Sequence, residues 1–202
     1  MRWDDLFDDL EGQLEHELFA EELDVRAEEE RLRIGRLSLR DRVAGIRSAA
    51  GKHGSRIVRL LLCDGTAIDV APATIGRDWL SADVAGDTSR RDQCIVPFSS
   101  IAGVVLSRER VVESISAPST GREGPPDSLS ARLTLSFVLR DLCRRRSTVE
   151  VRLRSGSAVG TIDRVGRDHL DLAIHERGVP RRESLVSEYR IVPFDQVVLV
   201  RV

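Results

Sequence analysis

The sequence predicts a mainly β chain with helices, of the α+β class: an N-terminal amphipathic helix followed by two small β-barrels, each preceded by a short helix. Three observations support this prediction. Apolar residues recur at helical spacing near the N-terminus, the phrase Ile-Val-Pro-Phe begins at Ile95 and again at Ile191, and β-branched runs with glycine turns precede each occurrence. Helical periodicity predicts helices, and short runs bounded by turn residues predict strands. We therefore expect a helix at 1–35, a first barrel module at 36–112, a linker rich in Pro, Gly and Ser at 113–130, and a second barrel module at 131–202.

The N-terminal segment is predicted to form one helix from about Asp4 to about Arg33. Its apolar positions recur at intervals of three and four and form a single stripe. The stripe consists of Trp3, Leu6, Phe7, Leu10, Leu14 and Leu18. Such a stripe packs on the chain's own body or on a second copy, or it docks in a groove of a partner protein. These six residues are the candidate partner-binding residues.

Charge is divided unevenly along the chain. Residues 1–30 contain 13 acidic side chains and two arginines, a net charge of −11. The whole chain contains 33 acidic and 31 basic residues, so the remainder has 20 against 29, a net charge of +9. An acidic arm on a basic body suggests a third role for the helix, in which it lies over the body as an anionic decoy and competes with phosphate groups.

Each module begins with a helix candidate. Ser38 is a candidate N-cap for a helix that carries Leu39, Val43 and Ile46. Ser130 is a candidate N-cap for the second, which runs through Leu135, Leu139 and Leu142. The β-branched content of 134–138 also leaves a strand open at that point.

The two copies share a skeleton that we interpret as fold rather than active site. Each has a hairpin turn ending in glycine, at Gly65 and Gly156, and then Gly-Arg-Asp, at 76–78 and 166–168. Glycine supplies the backbone freedom that such turns require. A feature present in both copies is expected to serve the fold, and this includes the aspartates of Gly-Arg-Asp.

The Ile-Val-Pro-Phe phrase is predicted to close each barrel. Proline cannot donate to a ladder, so Pro97 and Pro193 belong at a strand edge or bend. Phe98 and Phe194 are expected to plug the end of each barrel.

The second copy resembles an Sm-like small barrel, the fold of Sm proteins and of a related bacterial RNA chaperone, within the wider group of SH3-like barrels. The resemblance rests on Val-x-Val-x-Leu-x-x-Gly from Val149 to Gly156, a second glycine at Gly160, Asp168 before Leu170, and a final paired-strand segment. It covers 149–202 and, more loosely, the first copy. The opening Asp-Leu-Phe-Asp-Asp-Leu-Glu and the doubled barrel also resemble an uncharacterised family of high-GC bacteria, which implies no activity.

The resemblance implies RNA binding and assembly by edge-strand pairing, and the chain departs from its pattern. Sm-like RNA binders carry a basic or polar signature before the last strand, whereas this chain has Val-Pro-Phe at 96–98 and 192–194. Two fused barrels are expected either to pair internally or to form a smaller ring.

The sequence contains no motif that predicts catalysis, and we expect neither a cofactor nor a metal. Cys63, Cys94 and Cys143 have no Cys-x-x-Cys spacing and are predicted to be buried thiols of a cytoplasmic protein. His169 and His175 lie too far apart in sequence, without an acidic or cysteine partner, to predict a metal site. No signal peptide and no membrane-spanning segment is predicted.

A basic surface is the remaining functional candidate. Arginine occurs 30 times and lysine once, at Lys52, which is typical of a GC-rich genome and weakens the count as evidence. The candidate nucleic-acid-binding residues are Arg140, Arg144, Arg145, Arg146, Arg152, Arg154, Arg164, Arg167, Arg181 and Arg182. We expect a non-enzymatic cytoplasmic adaptor or regulator that binds protein partners or itself; the alternative is an RNA- or DNA-binding protein that uses these arginines.

Overall fold

A computed structural model describes residues 3–53, 56–86, 92–116, 129–179 and 181–202; the side chains at 3–15, 17, 20 and 50–53 lie outside this description. The chain divides into two compact units, Met1–Ser38 and Leu39–Val202. Each unit is described separately below.

The first unit is a single long helix, α1 (Trp3–Gly35), which confirms the predicted N-terminal helix. Its last turns are stabilised by ion pairs at helical spacing. Arg33 donates to Glu30 at 2.6 Å, and Arg26 lies 3.6 Å from Glu22. Acidic residues three or four positions before a basic one have the favourable orientation on a helix.

The second unit is α+β and contains a ten-stranded antiparallel sheet. Its helices are α2 (Leu39–His53), α3 (Arg108–Ser116), α4 (Leu129–Arg132) and α5 (Leu135–Arg144). Its strands are β1 (Val58–Leu62), β2 (Ala67–Ile75), β3 (Trp79–Val84), β4 (Gln93–Pro97), β5 (Ile101–Val105), β6 (Thr148–Leu153), β7 (Gly156–Val165), β8 (His169–Ile174), β9 (Glu188–Pro193) and β10 (Val197–Arg201).

The sheet consists of two halves with the same strand order. The order across it is β5-β1-β2-β3-β4-β10-β6-β7-β8-β9. Each half places its fifth strand beside its first and runs on through its second, third and fourth strands. The fourth strand of the first half, β4, pairs with the fifth strand of the second half, β10. The two halves therefore pair internally.

Register and turn contacts repeat between the halves. Trp79 lies opposite Pro97 in the first half, and His169 lies opposite Pro193 in the second. The second strand of each half has an irregularity at the same place, just after Pro72 and just after Ile162. The shared sequence phrases thus occupy the same places in two copies of one strand arrangement.

The predicted turns and bends are found where the sequence places them. Gly65 and Gly156 have φ of +83° and +138°, values that favour glycine. Pro97 and Pro193 each end a strand and lead into a short 3₁₀ turn. This confirms the prediction of a bend at both prolines.

Each half has its own apolar core. The first contains Val43 and Ile46 of α2, which confirms the predicted helix after Ser38, together with Leu60 and Leu80. The second contains Leu139 of α5 and the strands of the second half. The cores also exchange residues: Trp79 and Ile95 join the second core, and Val198 and Leu199 join the first. These exchanged residues tie the halves together.

The region before the second half differs from the prediction. Ser130 lies within α4 and does not cap the longer α5, so the predicted Ser130 cap is wrong, whereas the predicted helix through Leu135, Leu139 and Leu142 is confirmed. The open alternative of a strand at 134–138 is also wrong, because α5 covers nearly all of it. The physical reason is tertiary: the Leu135 backbone N–H donates to Asp78 Oδ1 at 2.7 Å, so a residue distant in sequence starts the helix. The predicted linker overlaps α3 and α4 at its ends, and 117–128 lies outside the described residues.

Candidate interaction surfaces

The junction between the halves is a packed contact surface. Val200 lies opposite Ile95 and Arg201 opposite Cys94, and the Val202 N–H donates to the Gln93 carbonyl. The side chains of this ladder are shielded from solvent, since Ile95 is 6% exposed and Val200 is fully buried. The junction is therefore a packed apolar seam built on a short antiparallel ladder.

Two polar contacts hold the same junction. The buried Ser100 hydroxyl lies 2.8 Å from the Val198 carbonyl and 2.8 Å from the Pro97 carbonyl. Arg152 on β6 donates to the Thr66 hydroxyl in the first-half turn, and its guanidinium lies 4.0 Å from Asp64. These contacts set the position of one half against the other.

The outer edges of the sheet are β5 and β9. Neither has a strand partner on its outer side in the described part of the chain. Both present exposed apolar side chains: Ile191 is 70% exposed, and Val105 is 49% exposed. Sheet edges offer unpaired backbone donors and acceptors, and apolar edges of this kind favour pairing with another chain.

A charged cavity lies beside the β9 edge. It has a volume of about 520 Å³. It is lined by Asp163, Arg164, Asp171, Arg181, Glu183, Tyr189, Arg190 and Ile191. Acidic and basic side chains are equal in number there, so the lining has no net charge at neutral pH.

The charges of this cavity are bonded to one another. Arg181 pairs with Asp163 and Glu183, and its hydrogen bond to Asp163 raises the guanidinium pKa. The Tyr189 hydroxyl donates to Glu183 at 2.6 Å, which raises the pKa of the phenol. The network therefore links β7, the segment 181–183 and β9 beside the exposed Ile191.

A second cavity lies where the two Ile-Val-Pro-Phe phrases meet. It has a volume of about 440 Å³. It is lined by Asp78, Pro97, Phe98, Ser99, Thr134, Leu135, Ser136, Arg167, Phe194 and Asp195. Phe98 packs against the first core and Phe194 against the second, so each ring has one side on its own half. The sequence predicted both rings as plugs, and no sequence signal showed that they share one cavity.

The glycines of Gly-Arg-Asp make room for a ring in both halves. A Cβ on Gly76 would lie 2.2 Å from the Trp79 indole, and one on Gly166 would lie 2.5 Å from the His169 ring. The Trp79 indole N–H also donates to the Leu133 carbonyl, across the start of the second half. Close ring packing against a bare backbone explains why glycine precedes Arg-Asp in both copies.

The two aspartates of this motif have different partners. Asp78 caps α5 through its carboxylate, whereas Asp168 accepts from the His169 ring at 2.8 Å. That hydrogen bond from His169 lowers the pKa of the Asp168 carboxyl. Their backbone roles are the same, because the Asp78 and Asp168 carbonyls accept from the N–H groups of Phe98 and Phe194. The structure places both residues in turns that serve the fold.

Most of the predicted nucleic-acid-binding arginines lie beside acidic groups. Arg144 and Arg145 both pair with Asp141, and Arg146 pairs with Asp163. Ion pairs are also formed by Arg152, Arg164 and Arg181. Arg140 and Arg154 donate to the backbone carbonyls of Gly166 and Asp195, and Arg167 and Arg182 are exposed. Six of the ten arginines therefore lie in ion pairs with acidic side chains of the same chain.

The predicted partner-binding stripe lies on α1. The side chains of Trp3, Leu6, Phe7, Leu10 and Leu14 lie outside the described residues. Leu18 is described and is 53% exposed. The same helix also exposes Phe19, Leu23, Val25 and Leu32.

Reactive and metal-ligating groups do not gather in the described residues. No group of three or more His, Cys, Asp or Glu lies close enough there to hold a metal ion. Cys94 is buried, which raises the pKa of its thiol to about 11. His175 is buried and lies 2.9 Å from the Thr161 hydroxyl and 2.9 Å from the Glu176 carbonyl, so both ring nitrogens have partners.

Comparison with known proteins found no family model, curated protein or solved structure that matches the chain. Within the described residues, no helix is both long enough and apolar enough to cross a bilayer.

Proposed function

We propose that the chain is a non-enzymatic cytoplasmic adaptor that binds protein partners through the edges of its sheet and through α1. The observation that carries this proposal is the pair of open edges, β5 and β9, with Ile191 70% exposed on one of them. Edge strands bind extended chains through main-chain hydrogen bonds and side-chain pockets. The free thiols of Cys63, Cys94 and Cys143 support a reducing compartment.

Each half of the sheet is, in this proposal, one Sm-like small barrel. Three features support this identity: a helix before five strands, a strand order with the fifth strand beside the first, and a separate core in each half. The β4–β10 ladder then corresponds to the edge pairing by which such barrels assemble.

Ion pairing of the candidate arginines favours a protein partner over a nucleic acid. Binding to a phosphate backbone depends on cations that are available to replace counterions. Six of the ten candidate arginines already lie in ion pairs with carboxylates of the same chain. A surface with both signs interspersed suits a protein interface, where charges set orientation and partner choice.

A nucleic-acid-binding role is the second candidate, and the cavity between the halves favours it. Phe98 and Phe194 offer two aromatic rings beside the exposed Arg167. Aromatic rings bind unpaired bases by stacking, at about 1–3 kcal/mol per base, and a neighbouring arginine contacts phosphate. The ligand in this case is a single-stranded segment of RNA or DNA.

Two experiments on the purified chain separate the candidates. The tagged chain is isolated with nuclease treatment, co-purifying proteins are identified, and each complex is rebuilt from purified components to measure its Kd. The adaptor role predicts a binary complex that is weakened by Leu18→Glu or Ile191→Lys and unchanged by Arg182→Ala. If no complex can be rebuilt, the adaptor role is wrong.

The nucleic-acid role is tested by fluorescence anisotropy with single-stranded RNA and DNA at several salt concentrations. It predicts an affinity that falls steeply with salt and a loss of roughly 10-fold or more for Phe194→Ala, since about 1.4 kcal/mol equals a factor of ten. Absence of binding at low salt removes this candidate.

A further inference from the structure

We propose that the second Gly-Arg-Asp turn, residues 166–169, is a docking site for a segment of the type Leu-Thr-Leu at the start of a helix in the protein partner. The inference rests on the adaptor function above and names the segment that the partner presents. The first turn, residues 76–79, already binds such a segment within the chain. The two turns have the same internal hydrogen bond, from the glycine N–H to the carbonyl of the fourth residue. The occupied turn therefore shows what the second turn can bind.

The first turn binds the start of α5 through three polar contacts. The Arg77 backbone N–H and the Trp79 indole N–H both donate to the Leu133 carbonyl, at 2.9 Å and 3.0 Å. In the opposite direction, the Leu135 N–H donates to Asp78 Oδ1 at 2.7 Å. The turn thus recognises the carbonyl of one leucine and the N–H of the leucine two residues later.

The bound segment has a defined conformation and an apolar anchor. Thr134 is extended, with φ of −88° and ψ of 161°, and its side chain makes no capping hydrogen bond. The Asp78 carboxylate therefore serves as the helix cap that the segment itself lacks. Leu135 is 5% exposed and belongs to the same core as Trp79 and Ile95. Polar contacts set the register, and this leucine supplies the buried apolar surface.

The second turn has the same groups, and they are open. Among the described residues, none accepts a hydrogen bond from the Arg167 N–H, which is equivalent to that of Arg77. The Asp168 side chain is 84% exposed, and the His169 side chain is 44% exposed. Trp79, the equivalent of His169, is 5% exposed because its own half and the start of α5 cover it. The second turn therefore lacks the cover that the first turn has.

The ring of His169 lies where the indole lies in the first turn. A Cβ on Gly76 would lie 2.2 Å from Trp79 Nε1, and one on Gly166 would lie 2.7 Å from His169 Nε2. His169 Nδ1 is 2.8 Å from Asp168 Oδ1, so Nε2 is the ring nitrogen that is left for an occupant. Nε2 donates to a carbonyl when the ring is protonated, whereas an indole N–H always donates.

Ile191 extends the site with apolar surface. It is the equivalent of Ile95, because both residues begin Ile-Val-Pro-Phe, and it is 70% exposed. Its strand lies beside the second turn, since Pro193 is opposite His169. In the first half the equivalent isoleucine shares a core with Leu135. The second leucine of a docked segment thus has an apolar contact at the second turn as well.

A second copy of this chain is the competing occupant, because Arg-Leu-Ser-Leu at 36–39 resembles Arg-Leu-Thr-Leu at 132–135. The segment at 36–39 directly follows α1, which is 33 residues long. The docked segment follows only the four-residue α4. A second copy would have to accommodate the whole of α1 beside the site, so another protein is the favoured occupant.

The first test measures binding of a probe peptide to the purified chain. The probe is a fluorescein-labelled peptide with the sequence of residues 129–140, and its Kd is measured by fluorescence anisotropy. We expect saturable binding that Asp168→Ala weakens roughly 10-fold, equal to about 1.4 kcal/mol. Asp92→Ala is the matched control, since it also removes one exposed acidic side chain but lies in the first half. This control is expected to change the Kd by less than about 2-fold. Absence of binding, or equal effects of the two variants, overturns the proposal.

The second test asks whether the two predicted atoms meet. A probe N-methylated at the position of Leu135 keeps the leucine side chain and loses the N–H that Asp168 is expected to accept. It should bind the parent chain roughly 10-fold more weakly and show no further loss with Asp168→Ala, as in a double-mutant cycle of contacting groups. Losses that add fully would show that the groups do not meet. His169→Trp copies the first turn and is expected to tighten binding, and weaker binding of that variant overturns the role of the ring.

The occupant is identified with the complexes rebuilt for the adaptor function. Each is expected to lose roughly 10-fold in affinity with Asp168→Ala. A complex that forms with an unchanged Kd for this variant overturns the docking site and leaves the adaptor function. A probe that binds as expected when no complex can be rebuilt leaves the docking site and overturns the adaptor function. Light scattering tests the second copy: a mass above 22.5 kDa that falls to 22.5 kDa with Asp168→Ala overturns the assignment to another protein.

Discussion

Gly160 offers a direct test of how closely the strands of the second half pack. It lies on β7 opposite Ile174 of β8, and it is buried. A Cβ at this position would lie 2.1 Å from the Ala173 carbonyl oxygen and 3.0 Å from the Ile174 Cα. Both are backbone atoms of β8, which is held by ladders to β7 and β9. Strand β8 therefore cannot move away from an added Cβ as easily as a flexible side chain could.

The cost of Gly160→Ala follows from these distances. Ordinary contact begins near 3.4 Å, so β8 has to retreat from β7 by more than 1 Å. Overpacking of a core costs about 1–3 kcal/mol, and each ladder hydrogen bond that is strained or lost costs about 1 kcal/mol more. We expect a loss of about 3–4 kcal/mol, a large share of the roughly 5–15 kcal/mol that stabilises a native protein.

Gly103→Ala is the matched control, since a Cβ there would lie 3.5 Å from Leu61 Cδ1, an ordinary contact. We expect this variant to stay within about 0.5 kcal/mol of the parent. Urea unfolding followed by circular dichroism measures both. With a slope of about 2 kcal/mol per molar urea, the midpoint of Gly160→Ala falls by roughly 1.5–2 M. Equal midpoints for the two variants would refute the packing argument.

Two further predictions concern single side chains. Asp78→Ala removes the acceptor of the Leu135 N–H and is expected to cost about 1–2 kcal/mol, as for other helix caps. Asp168→Ala, which loses only an exposed contact to His169, is expected to change the free energy of unfolding by less than about 0.5 kcal/mol. Chemical denaturation ranks the two variants, and the reverse order would contradict the assignment of Asp78 as the cap. For Cys94, burial raises the thiol pKa to about 11, so iodoacetamide at mildly alkaline pH should modify it only after unfolding. Peptide mapping with and without urea measures how much Cys94 is modified. Ready modification in the native chain would contradict the prediction, because it would show that the thiol is accessible.

Local sequence patterns were sufficient to predict the elements whose signal lies within a few neighbouring residues. The stripe and charges of α1 and the apolar spacing of α2 specify helices, because a helix brings positions three and four apart onto one face. Gly65 and Gly156 mark turns, because their positive φ disfavours other residues. The break between α4 and α5 was missed, because the residue that starts α5 is Asp78, in the other half of the sheet.

The candidate surfaces were less predictable than the fold, and the arginines show why. The arginines within 140–146 predict a basic patch, but Asp141 and Asp163 form ion pairs with the triplet Arg144–Arg146 and offset part of its charge. Which acidic group lies beside which arginine depends on strand neighbours that are distant in sequence.

The sequence alone establishes a duplication, since Gly-Arg-Asp and then Ile-Val-Pro-Phe recur in the same order. It also establishes a long acidic helix ahead of the duplication. The shared phrase cannot distinguish Ile95 from Ile191, however, because both are followed by Val-Pro-Phe. Only folding separates them: β10 covers the first and leaves the second at an edge, since one chain with two halves joins its inner edges and keeps two outer ones.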